Sequence, residues 1–396
     1  MVLVFYPYVD MLARTAFLTQ GRSTLEAAQT LGYGPFEVFR RVALPMARPA
    51  IVAGTSLALM ETLADFGTVA TFNYDTFTTA IYKAWFGFFS LQTASQLASL
   101  LLLFVFISLM TERATRRRAQ YHDTMRSGKA VRFLLHGWKG WSVTAALSLL
   151  FAIAFLIPFI QLCLWAMESI SEEFDARYLG LLYHTLLLGF LAALLTSACA
   201  LVSGFARRYQ RDRLTALTVN IANLGYALPG SVLAVGIMIA LTQSDHLFHH
   251  LTGLLGYNTT GQILSGSVVA LLIAYVIRFM AVAHGPVETA LSRIKYSLPE
   301  AARSLGAKPG EILTRIYLPL MRPGLLTAMI LVLVDTMKEM PATLLMRPFG
   351  WDTLAVRIYE MTSEGEWERA ALPAITLVLV GLLPVILLVR KTLQDR

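Results

Sequence analysis

Apolar residues are grouped along this chain into runs of membrane-crossing length. Runs near 48–70, 91–110, 143–167, 181–204, 216–242, 263–283, 323–345 and 371–390 all reach the roughly 20 residues that carry a helix across a hydrocarbon core. A ninth, 1–18, is shorter and holds Asp10 and Arg14. None shows the period-2 alternation of a barrel strand, and only helices or closed barrels satisfy the backbone in lipid. The pattern predicts an all-α polytopic membrane protein with about nine spans.

Charge sharpens this picture. Only 15% of the 396 residues are charged and 56% are hydrophobic, against about 25% charged in a soluble domain, which excludes a soluble enzyme. Of the 33 Lys and Arg, 25 lie in one alternate set of loops: 19–47 with the bordering Arg48, 111–141, 205–215, 284–322 and the tail from 390. Only 5 lie in the other set, 71–90, 168–180, 243–262 and 346–370. Short loops rich in Lys and Arg stay inside, so the first set and the C-terminus are expected to be cytoplasmic. The net charge of +8 thus reads as topology, with Arg113 to Arg118 anchoring at anionic headgroups and no nucleic-acid role. Cys163 and Cys199 sit within apolar runs and read as packing residues.

Two of the basic loops repeat one another. Glu26 to Pro49 (EAAQTLGYGPFEVFRRVALPMARP) and Glu300 to Pro323 (EAARSLGAKPGEILTRIYLPLMRP) align without a gap at an offset of 274, with 12 identities in 24 positions. Self-similarity of this kind marks duplicated architecture. The expected organisation is the C-terminal part of a first homologous half at 1–112, a basic linker at 113–141 and a second half at 142–396. Subtracting 274 from the span 263–283 places its counterpart at about −11 to 9. The first half is therefore expected to lack about 130 residues and three spans relative to the second.

Locally, Ser23 and Ser297 are expected to cap a short Ala-rich helix. Gly32 and Gly306 suit its C-terminal turn, and Pro35 and Pro309 open the next helix. Pro45 and Pro319, then Pro49 and Pro323, are expected to break the chain again as it returns to the membrane.

The repeated element resembles the cytoplasmic loop of binding-protein-dependent ABC importer permeases of the MetI-like type. The residues carrying the likeness are Glu26, Ala27, Ala28, Gly32, Val42, Leu44 and Pro45, and again Glu300, Ala301, Ala302, Gly306, Ile316, Leu318 and Pro319. The flanking stretches Glu61 to Phe72, Thr76 to Tyr82 and Lys338 to Phe349 resemble those of ferric-iron importers with two fused halves. The resemblance implies two MetI-like bundles in a bacterial inner membrane, with each loop seated on one copy of a separate ATPase homodimer. It also implies a periplasmic solute-binding protein as partner and alternating access driven by ATP. Thiamine, polyamine and sulfate permeases share the loop, so the solute stays open between ferric iron and these. An ion-coupled secondary transporter, with the acids as relays, is the reading from another class.

The offset of 274 also relates Glu61 and Asp65 to Asp335 and Glu339, both pairs spaced to share a helix face. Intramembrane acids are costly and face an interior or a water path, so both pairs are expected to line a pathway. The alternatives are Lys338 as structural partner of a carboxylate, and acids placed near water at a helix break marked by Gly67 in one half and Pro341 in the other. Asp245, His246, His249 and His250 form a cluster in the loop 243–262 that a metal could use, although solvated histidines explain it as well. Asn258-Thr-Thr fits a glycosylation sequon. No Gly-x-x-x-x-Gly-Lys-[Ser/Thr] loop and no hydrolase motif occurs. The chain is therefore expected to be no enzyme and to bind no cofactor, with ATP and Mg held by the partner ATPase.

Overall fold

The structure, a computed structural model, describes residues 1–20, 22–118, 135–210, 212–254, 261 and 263–394. The sequon at Asn258, the middle of the linker and the side chains of Ser23 and of Arg113 to Arg118 lie outside the described residues. Helices account for all regular structure among the described residues. Eight of them are long and apolar enough to cross a membrane. The ninth predicted span is α1 (Val2–Thr19), which packs along α3 (Pro35–Ala64).

Between these two lies α2 (Arg22–Thr30), and after α3 come α4 (Gly67–Thr71), α5 (Phe77–Tyr82) and α6 (Leu91–Arg118). Next are α7 (Trp138–Glu173), α8 (Ala176–Tyr209), α9 (Arg213–Ala222), α10 (Gly230–Leu254) and α11 (Val268–Arg293). The chain ends with α12 (Ser297–Ser304), α13 (Gly310–Met337), α14 (Pro341–Met346), α15 (Leu354–Ser363) and α16 (Trp367–Gln394). Contacts divide the chain into two units: Met1–Thr68 with Leu100–Gln161, and Val69–Ser99 with Leu162–Arg396. The second unit thus takes in α5, which sequence order places with the first copy of the repeat.

The core of the second unit is a mutually packed trio, α8, α11 and α13. Its contact faces carry small residues: Ala192 and Ala200 on α8, Ala274 and Ala283 on α11, and Ala328 on α13 are fully buried. Small residues let backbones approach closely where lipid supplies no hydrophobic drive between helices. Gly324 shows how close: a Cβ there would stand 3.0 Å from the carbonyl oxygen of Pro286. Side-chain caps set the starts of α8 and α11, where Asp175 accepts from the Tyr178 N–H at 2.8 Å and Ser267 from that of Ala270 at 3.1 Å.

Several expectations are corrected. The apolar run 216–242 is not one helix: α9 passes through a 3₁₀ turn, Asn223–Ala227, and restarts as α10 after Leu228 and Pro229. The runs 48–70 and 323–345 are interrupted too, α3 ending at Ala64 and α13 at Met337, just ahead of Gly67 and Pro341, where a break is the alternative expectation. Pro45, Pro49, Pro319 and Pro323, expected to break the chain, all lie inside continuous helix. A π turn, Phe39–Ala43 and again Leu313–Tyr317, directly precedes Leu44 and Leu318. Its wider hydrogen-bonding pattern accommodates the proline that follows. Ser297 makes no capping bond, because Tyr296 before it is already helical. The histidine cluster lies on α10 rather than in a loop. There Asp245 accepts from the backbone N–H groups of Leu264 and Ser265, both at 2.9 Å, and His249 Nε2 lies 2.6 Å from the Gly261 oxygen. These side chains close the turn into α11. Among the described residues, no group of three or more His, Cys, Asp or Glu is placed to hold a metal.

Candidate functional site

The two copies of the repeated element adopt the same local structure. α2 ends with Gly32 at φ +88° and α12 with Gly306 at φ +86°. In the first copy the Gly32 N–H donates to Gln29 O (2.9 Å) and the Tyr33 N–H to Ala28 O (3.3 Å). In the second, Gly306 donates to Arg303 O (2.9 Å) and Ala307 to Ala302 O (3.0 Å). This is the Schellman closure, which needs a left-handed residue after the helix. Next follow Pro35 or Pro309, an i,i+4 ion pair (Glu37 with Arg41 at 3.4 Å, Glu311 with Arg315 at 3.8 Å), the π turn and the long helix.

Glu26, Ala27, Leu44 and Pro45 are exposed, as are Glu300, Ala301, Leu318 and Pro319. Ala28 is buried and Ala302 half-buried, on the side turned to the protein. The leucine before each glycine stands out into solvent: Leu31 is 78% exposed and Leu305 is 88%. In both copies the turn thus holds an apolar side chain out at the same position.

Sequence reasoning missed the seat of the second copy. Arg208, at the end of α8, donates to the carbonyl oxygens of Leu291 and Ile294 at the end of α11. The same guanidinium lies 4.3 Å from the ring centre of Tyr296 and 5.6 Å from that of Tyr317. Arg303 on α12 covers Tyr209 at 4.5 Å. A guanidinium over an aromatic face with its donors on helix-end carbonyls combines attractions of two kinds. The sequence signal for it was the Arg-Arg-Tyr at 207–209, read there only as loop charge.

The acidic pairs do not share a helix face as their spacing suggested. Glu61 lies on α3, but Asp65 is in extended conformation just past its end, accepting from the Thr68 hydroxyl at 3.1 Å. Asp335 lies on α13 and pairs with Lys338 at 2.8 Å, whereas Glu339 is past the helix end. Glu339 is 6% exposed and its Oε2 is 2.8 Å from Arg278 Nε on α11. Its Oε1 accepts from the Ala342 N–H (3.1 Å) at the start of α14, where a helix N-terminus favours negative charge. Arg278 also donates to Leu228 O at 2.7 Å, so one ion pair ties α11 to the breaks before α10 and after α13. At the offset of 274, the first-copy counterpart of Arg278 is Val4.

At the far end of α13 from α12, a cavity of about 760 Å³ opens beside α5 and α15, lined by Tyr82, Trp85, Arg177, Arg347, Tyr359 and Glu360 among others. Arg347 pairs with Asp352 and, at 2.8 Å, with Glu360. Arg357 and Arg369 converge on Glu173. The Tyr82 and Tyr359 rings meet edge to face, centres 5.9 Å apart at 85°, and their hydroxyls share a hydrogen bond. Burial, then the neighbouring Tyr82, pushes the Tyr359 phenol up to about 12, so it remains a donor at any physiological pH.

The chain belongs to the family described as the binding-protein-dependent transport system inner membrane component, which matches residues 1–120 and 187–395. It is 28% identical over 398 residues to the Fe(3+)-transport system permease protein FbpB 2 of Haemophilus influenzae, covering 98% of this chain and 74% of that one. It is also 28% identical over 252 residues to the putative 2-aminoethylphosphonate transport system permease protein PhnV of Salmonella typhimurium, covering 59% and 87%. In fold it is similar to a chain of a bacterial ABC transporter involved in the import of alginate, with TM-score 0.53 and 16% identity over 65% of this chain and 96% of that one.

Proposed function

We propose that this chain carries ferric iron across the inner membrane, receiving it from a periplasmic solute-binding protein and driven by a separate ATPase homodimer. ATP and Mg are held by that partner. One ATPase copy docks under α2 and the other under α12, through Glu26, Ala27, Leu44 and Pro45 and their counterparts Glu300, Ala301, Leu318 and Pro319. Ala28, Ala302, Gly32 and Gly306 set the shape of the two docking elements. The observation that carries this reading is the identity of the two exposed elements down to their closing hydrogen bonds. Both elements and the C-terminus then face the cytoplasm, in line with the loop charges.

Iron is favoured as solute because the likeness to the ferric permease runs over 98% of the chain, and that to the phosphonate permease over 59%. A second reading, a small phosphonate solute, is favoured by the likeness to the 2-aminoethylphosphonate permease over 59% of the chain. On either reading Glu61 and Asp65 line the path. Asp335, Lys338 and Glu339 brace the helix break through the pairs described above, a structural role.

The deciding experiment is uptake by proteoliposomes holding the chain, its ATPase and its binding protein, with radiolabelled ferric iron and 2-aminoethylphosphonate compared. ATP-dependent accumulation of iron alone supports the proposal. Accumulation of the phosphonate alone replaces it with the second reading.

A further inference from the structure

Threonine 76 and Thr353 are the N-caps of α5 and α15. Aligning the two helices on these caps gives an offset of 277 and also superimposes Ile81 on Ile358 and Tyr82 on Tyr359. The tyrosines that meet edge to face are therefore the same position in the two copies of the repeat. A residue can touch its own symmetry mate only on the axis relating the copies. In a permease whose two halves rock against each other, solute moving between the halves passes along that axis.

We propose that Tyr82 and Tyr359 form the closing contact across the solute path, at the end of α13 opposite α12. Three observations meet here: their equivalence in the repeat, their mutual ring contact and hydroxyl bond, and their place in the wall of the 760 Å³ cavity beside Arg347 and Glu360. The contact is between two half-buried side chains, one on each of two short capped helices. Parting them breaks that hydrogen bond and ring contact and also loosens the packing of Tyr82 and Trp85 on the α8, α11 and α13 core. The proposal rests on passage between two halves and not on iron, so failure of iron uptake leaves it standing.

The test uses the full chain with its ATPase in nanodiscs and proteoliposomes. In a Cys163→Ser, Cys199→Ser background, Tyr82→Cys with Tyr359→Cys is bridged by a short bifunctional thiol reagent. Bridging is expected to lower ATP hydrolysis and solute uptake at least about tenfold, and a reductant to restore both. Separately, Tyr82→Ala with Tyr359→Ala removes a contact made in one arrangement only. It shifts the population toward the other, raising ATP hydrolysis without binding protein by about tenfold if the contact contributes about 1.4 kcal/mol. The Tyr→Phe pair keeps the rings and gives a smaller rise. Absence of bridging, full turnover while bridged, or unchanged basal hydrolysis in the Ala pair each overturns the proposal. If the unbridged cysteine pair is itself inactive, the Ala and Phe variants decide.

Discussion

The two copies of the docking element and the two acidic pairs come from one duplication, yet they have fared differently. The elements agree in glycine conformation, in both closing hydrogen bonds, in the ion pair behind the proline and in the π turn. The acids agree only in position. Glu339 is locked to Arg278, while the first copy has valine at the matching place. On the proposed function, a surface that meets two identical partner subunits is held constant on both sides. A single path through the middle has no such constraint, and its two walls are free to specialise.

The comparison can be broken most forcefully at Arg278. Arg278→Leu leaves Glu339 buried without its partner and should cost about 3–5 kcal/mol, read as lost detergent-stable protein and a lower Tm. Adding Glu339→Gln should recover most of this. Asp65→Asn keeps an acceptor for Thr68 and should cost about 1 kcal/mol or less, yet Glu61→Gln with Asp65→Asn should abolish uptake with ATPase docking unchanged. Equal instability in the two copies, or wild-type uptake in that double variant, would erase the distinction.

Next in size are the exposed leucines. Leu31→Asp and Leu305→Asp should each weaken ATPase association by about 2 kcal/mol, the scale of an interface anchor, in a pull-down or titration with the purified subunit. Similar losses at the two sites sharpen the claim of equivalence, and loss at one alone contradicts it. Gly32→Ala and Gly306→Ala come third. No atom lies within 4 Å of the added Cβ at either position, so the cost is the left-handed backbone alone, about 1–2 kcal/mol. It should be the same in both copies by thermal unfolding. Smallest are Arg41→Ala and Arg315→Ala, which remove exposed ion pairs and should change stability by under about 0.5 kcal/mol.

What the sequence made legible follows from how local each feature is. The docking elements were readable because glycine, proline and the leucine before each glycine act within a few residues, and the duplication removed chance. The restart at Leu228 and Pro229 was hidden because both sides of the break are apolar, and hydropathy does not register a turn inside a membrane. The prolines misled because the π turn that accommodates them is made by the backbone and has no side-chain signature. Arg278 is visible as a charge within the apolar run 263–283, but its partner lies 61 positions away across a helix contact that no spacing rule supplies. The meeting of Tyr82 and Tyr359 was masked by three extra residues between Glu339 and Thr353, which shift the offset from 274 to 277.

The π turn ahead of Leu44 and Leu318 has a mechanical consequence. Because it keeps helix running through the prolines, docking surface and membrane span belong to one stiff rod of 30 residues in the first copy and 28 in the second. At about 1.5 Å per residue, each rod is a lever roughly 40 Å long, so every degree of tilt imposed at one end moves the other by about 0.7 Å. A hinge at either proline would absorb that displacement. Without one, a few degrees of rotation imposed at the repeated element, where the proposed function seats the ATPase, become a displacement of several ångströms at the other end of the rod.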